Sequence, residues 1–126
     1  MFQLGPRSKM RLQGVHPDLV KVVERAIQIT TVDFTVLEGV RDPQRQRTLV
    51  ESGASQTMNS RHITGHAVDL GAWVDDQVDW SWPLYIQIAK AMQAAADELN
   101  VKIVSGINWR TFKDGPHHEL DRRYYP

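Results

Sequence analysis

The chain has 126 residues, 41% of them hydrophobic, and its 15 basic side chains are balanced by 15 acidic ones. That is enough for one domain with a buried core, and a net charge of zero offers no general basic field to attract nucleic acid. No cysteine is present, so disulfides and thiolate ligands are excluded and any metal site must be built from His and carboxylates.

The N-terminal stretch from Met1 to Lys9 lacks an apolar h-region, so no secretory signal is expected. The longest apolar runs fall short of a bilayer span. The protein is expected to be made and held in the cytoplasm, without stable membrane association.

In chain order, Pro17 to Ile29 places Leu19, Val22, Val23, Ala26 and Ile29 at helical spacing, with Pro17 suited to a first helical position. Val32 to Glu38 alternates enough to predict a strand. Asp42 as N-cap, Pro43 at the first position and Gly53 as stop predict a second helix. Ala67 to Ala72 reads as a short strand. Val74 to Asp79 carries three carboxylates but neither the glycine turn nor the terminal Glu of an EF-hand, so it reads as a solvated loop. A third helix is expected from about Pro83 to Leu99, capped near Ser81 and ended by Asn100. Short strands follow at Val101 to Val104 and His117 to Leu120. Strands and helices do not alternate as regular βαβ units, which favours α+β over a doubly wound sheet.

Six residues separate His62 from Asp69, a spacing that does not share one helical face, and Gly65 argues against a helix between them. A loop carrying His62, a turn near Thr64-Gly65 and a strand carrying Asp69 would let both side chains converge on one ion. His117, from the last strand, would be the third ligand, and His-His-Asp is a suitable set for a zinc that keeps one position open. His66 stands four after His62, but no Glu follows His62 as in the helical H-E-x-x-H motif, so His66 is placed beside the metal or at the surface. His117 and His118 would face opposite sides of a strand, so only one can readily be a ligand. Glu119 returns to the face of His117, to orient a ligand or meet solvent. Taken singly, each of these residues also fits an ordinary hydrogen-bonding role, and Asp114 before Gly115-Pro116 is by itself a turn former.

Ser60-x-His62-x-x-Gly65-x-Ala67-x-Asp69 resembles the zinc signature of the M15 peptidases, the D-Ala-D-Ala peptidase family. Asp114-x-Pro116-His117-x-Glu119-Leu120 resembles the last motif of its phage-endolysin branch, the L-alanyl-D-glutamate endopeptidases. Glu38-Gly39-Val40-Arg41 with Pro43, Arg45 and Gln46 is similar to that branch's arginine segment, and Gly14 to Leu19 to its usual start. The resemblance runs from about residue 8 to about 121.

It implies a small single α+β domain, with a short antiparallel sheet flanked by about three helices, of the D-Ala-D-Ala peptidase or Hedgehog-like kind. It implies Zn2+ held by His62, Asp69 and His117, Asp114 as general base, and Arg41 facing substrate to stabilise transition-state charge. Ser60 is a candidate for shaping the pocket. Trp73 is the tryptophan chosen for substrate contact; Trp80, Trp82 and Trp109 are expected in core or rim packing. Two departures from the family pattern are Ser105-Gly106-Ile107-Asn108-Trp109 in place of a Gly-Gly-Asp-Trp type segment, and His118 where an aromatic often follows the last ligand.

The implied activity is cleavage of the L-Ala–D-Glu bond of the peptidoglycan stem peptide, by a monomer acting as a phage or prophage endolysin. It would remain in the host cytoplasm until lysis and then reach the periplasm and wall, with a holin to let it out. The alternatives are a D-Ala-D-Ala carboxypeptidase or dipeptidase, and a non-catalytic wall-binding domain that keeps zinc structurally.

Overall fold

The computed structural model describes residues 1–126. Its elements in order are α1 (Pro6–Arg11), α2 (Pro17–Ile29), β1 (Phe34–Glu38), α3 (Pro43–Glu51), β2 (Ala67–Val74), β3 (Gln77–Asp79), α4 (Trp82–Leu99), β4 (Ile103–Ser105), a 3-10 turn at Gly106–Asn108, and β5 (His117–Leu120). The strands form one antiparallel sheet in the order β1-β2-β5-β4, with β3 also paired to β2. This is the α+β architecture expected, with one helix more than predicted. The extra one is α1, six residues long and with one buried residue, Ser8. So short an element carries no apolar periodicity to read.

One face of the sheet builds the core. Phe34 and Val36 from β1, Val68, Leu70 and Ala72 from β2, and Leu120 from β5 are buried there with the apolar faces of α2 and α4. In α2 the residues taken out of water are Leu19, Val22, Val23, Ala26 and Ile27. Ile29 only packs against the cluster's margin. Leu19, Val22, Val23 and Ile27 each contribute about 1.5–3 kcal/mol on burial, and all of this packing is on one face of the sheet. The other face is left for Asp69, His117 and Glu119.

Local signals at element ends behave as their chemistry requires. Asp42 caps α3 by accepting from the Arg45 amide at 2.8 Å. His16, which sequence reasoning did not identify as a cap, accepts the Asp18 amide on Nδ1 at 3.1 Å and starts α2. Asn100 ends α4 in the left-handed region.

The expected loop at Val74 to Asp79 is instead a hairpin. Val74 pairs with Gln77, and Asp75 and Asp76 both take positive φ, the geometry of a two-residue turn whose twist matches the strands. Asp tolerates that conformation, which is why the turn forms without Gly.

The segment after β1 shows how tightly the second layer is set. A Cβ on Gly39 would collide with the Arg11 carbonyl oxygen and press on Val15, while the Gly39 carbonyl itself receives the His62 ring. Gly39→Ala is therefore expected to cost about 1–3 kcal/mol by overpacking. For a chain of this size the melting temperature should fall by roughly 4–15 °C, as differential scanning calorimetry would show. An unchanged transition would mean that this close approach is not maintained in solution.

Candidate metal centre and active-site cleft

Three strands and one loop bring the site together. Asp69 on β2 lies directly opposite His117 on β5 in the antiparallel register, and such pairs hold their Cβ atoms about 4.5–5.5 Å apart. His62 comes from the turn Arg61–Gly65 that precedes β2. This turn is docked onto the α1–α2 connection: the Gly65 carbonyl accepts from the His16 amide at 2.8 Å. Gly65 has φ +77, and a Cβ there would lie 2.6 Å from the Gly14 carbonyl oxygen, so the position needs glycine. The loop-turn-strand geometry expected for His62 and Asp69 is the one observed.

Ligand atoms from His62, Asp69 and His117 all lie within 4.8 Å of one another. Asp69 Oδ1 is 3.1 Å from His62 Nε2 and 3.4 Å from His117 Nδ1. The outer nitrogens are already occupied. His62 Nδ1 donates to the Gly39 carbonyl at 2.9 Å, and His117 Nε2 is 2.9 Å from Glu119 Oε1. With the outer nitrogen of each ring already engaged, the inner nitrogen hydrogen-bonds Asp69, and on losing its proton it can offer its lone pair to a cation bound there. Two imidazole lone pairs and a carboxylate around one point suit a divalent cation such as zinc.

In the metal-free protein the same groups compensate one another. Burial alone would raise Asp69, but hydrogen bonds from His117 and His62 outweigh it and hold the carboxyl well below its usual range. For His117 burial would lower the pKa, yet hydrogen bonds to Asp69 and Glu119 push it up to about 9.

Asp114, Arg41 and Ser60 line the same cleft, a mostly polar depression of about 540 Å³. Asp114 occupies the turn into β5, its amide donating to the Gly106 carbonyl at 3.1 Å and its carbonyl accepting from the His117 amide at 3.3 Å. Burial, then the charge of Asp69, raises its pKa. Ser60 Oγ accepts the His62 amide at 3.2 Å, so it shapes the ligand loop from within.

Arg41 is buried and fixed at two points: Nε donates to Glu38 Oε1 at 2.5 Å and Nη1 to Gln46 Oε1 at 2.7 Å. Its Nη2 makes only a 3.5 Å contact to Asp69 Oδ2, leaving donor capacity turned toward the cleft. A bulge between Val36 and Glu38 sets Glu38 opposite Asp69 and so beside Arg41. Gln46, fully buried on α3, ties Arg41 to the Ser55–Thr57 loop through Ser55 Oγ and the Thr57 carbonyl. Glu38 and Gln46 are thus supports of the site. Their motif was visible in sequence, but their contacts were not.

Trp73 does not line the cleft. It shares the face of Asp69 but lies four residues along β2, roughly 13 Å away, with Leu37 packed over the intervening Gly71. Trp109 is the tryptophan of the site; its ring centre is 5.0 Å from that of His117. None of the four tryptophans is in the fully buried core, and Trp80 instead stacks on Tyr85 near the surface.

His66 stands outside the cluster, bonded to Thr64 and facing His16. His118 points to the core side of β5, bonded to Ser105 Oγ at 2.8 Å, and burial drops its pKa to about 3. Strand alternation thus assigns His117 to the site and His118 to the core.

The family model described as phage L-alanyl-D-glutamate peptidase matches residues 1–125. The L-alanyl-D-glutamate peptidase of Escherichia phage T5 is 31% identical over 128 residues, covering 98% of this chain and 93% of that protein. That of Listeria phage A118 is 30% identical over 94 residues, covering 75% of this chain and 32% of the relative. The crystal structure of the Serratia marcescens L-Ala D-Glu endopeptidase ChiX superposes with a TM-score of 0.92 at 49% identity, covering 96% of this chain and 91% of that one. The chain belongs to the phage L-alanyl-D-glutamate peptidase family.

Proposed function

We propose that this protein is a zinc-dependent peptidoglycan endopeptidase that cuts the L-Ala–D-Glu bond of the stem peptide. The observation that carries the reading is the convergence of His62, Asp69 and His117 in a cleft that also holds Asp114 and Arg41. Its support for bond choice is the agreement among relatives, all named for L-Ala and D-Glu.

His62, Asp69 and His117 would hold the ion. When bound, zinc supplies Lewis-acid polarisation and lowers the pKa of water from 15.7 toward about 7. Asp114 takes the proton of the attacking water and returns it to the departing amine of D-Glu. Burial and the charge of Asp69 raise its pKa, which makes it a stronger proton acceptor than an ordinary carboxylate. Arg41, held by Glu38 and Gln46, presents Nη2 to the oxygen of the scissile carbonyl as charge builds there. Because the guanidinium is prealigned, it stabilises that charge without reorganising first.

No helix is long and apolar enough to cross a membrane. The resemblance to phage endolysins supports, as a further part of this proposal, a lysis role in which a holin-like partner gives the protein access to the wall.

The test is digestion of purified peptidoglycan by the zinc-loaded protein, followed by mass spectrometry of the products. New N-terminal D-Glu ends are expected. Release of terminal D-Ala would instead make it a carboxypeptidase, and no cleavage by zinc-loaded protein would leave a wall-binding domain.

A further inference from the structure

We propose that Glu119 is a positioning residue that fixes His117 with Nδ1 turned toward the metal, an inference that rests on the zinc reading above. Glu119 is buried, and Oε1 lies 2.9 Å from His117 Nε2. The two residues are separated by one position on β5 and face the same side of the strand. Opposite Glu119 in the register stands Ala67, which offers only a methyl group and does not compete for the carboxylate.

The second carboxylate oxygen is engaged separately. Arg122 Nε approaches Oε2 at 3.5 Å and Arg61 Nε at 4.0 Å. One oxygen therefore faces the imidazole and the other faces two guanidinium groups, which fixes the orientation of the carboxylate beside the ring. An acceptor oxygen on Nε2 holds the ring proton there and leaves the Nδ1 lone pair for the ion. On the other ligand the neutral Gly39 carbonyl has the equivalent place on His62. The two imidazoles are thus presented through different nitrogens, Nε2 from His62 and Nδ1 from His117.

The experiment compares wild type, Glu119→Gln and Glu119→Ala for zinc affinity, by competition with a chromophoric chelator, with circular dichroism of each metal-free protein as a folding control. Loss of a carboxylate behind a ligating histidine typically weakens metal binding by about 10- to 100-fold, and that loss is expected for Glu119→Ala. Glu119→Gln retains an acceptor oxygen and should recover most of the affinity. In parallel, imidazole nitrogen NMR of the zinc-loaded wild type should show His117 with its proton on Nε2, a readout that needs no variant to fold. Unchanged affinity in a folded Glu119→Ala protein, or a proton on Nδ1 of His117, would overturn the proposal. A wild type that binds no zinc would overturn the metal reading itself, which is a different result.

Discussion

Asp114→Asn is expected to lower kcat on peptidoglycan fragments by about 100- to 10,000-fold, the range contributed by a positioned general acid–base, while zinc binding and melting temperature stay near wild type. The substitution keeps the size of the side chain and removes only its capacity to carry a proton. The backbone bonds that hold the turn, to Gly106 and His117, do not involve the carboxyl group. Asp114 is also not among the three residues that converge as ligands. Parallel measurement of kcat and zinc content on the purified variant checks this. Activity within a few-fold of wild type would remove Asp114 from the reaction and return it to the role of a turn former.

Removing the metal should have a comparable or greater effect on rate and little on folding. Zinc stabilises transition-state charge by several kcal/mol, so activity should fall by about 1,000-fold or more on chelation and return when zinc is added back. His62→Ala should show the same loss without rescue at matched zinc concentration.

The fold should persist because the core lies on the other face of the sheet, built by α2, α4 and the inward residues of β1, β2 and β5. The vacated ligands are already compensated, with Asp69 between His62 and His117. A protein that unfolds on chelation would make the ion structural and support the binding-domain alternative. Circular dichroism before and after chelation separates the two.

What was legible in the sequence is what a short stretch of chain determines by itself. The α2 face, the Asp42 cap and the alternation that sends His117 and His118 to opposite sides of β5 all follow from local periodicity. His62, Asp69 and His117 are singled out for a different reason, the resemblance of two motifs to those of the M15 peptidases, because spacing alone leaves an ordinary hydrogen-bonding role equally open. The structure brings the three together.

Sheet register was not legible. Nothing local says that Asp69 sits opposite His117, or that a bulge before Glu38 brings it level with Asp69. Trp73, near Asp69 in sequence and on its face, does not line the cleft, because Leu37 over Gly71 separates the two, whereas Trp109 reaches His117 from another part of the chain. Gln46 is an uncharged polar residue on a mostly polar helix, so its burial beneath Arg41 left no periodic trace.

The most direct test of the central claim is anomalous diffraction at the zinc edge from crystals of the zinc-loaded protein. The account predicts one strong peak bound by His62 Nε2, an Asp69 carboxylate oxygen and His117 Nδ1, with the remaining position open to the cleft beside Asp114. A peak elsewhere, or an ion closed off by a fourth protein ligand, would contradict it.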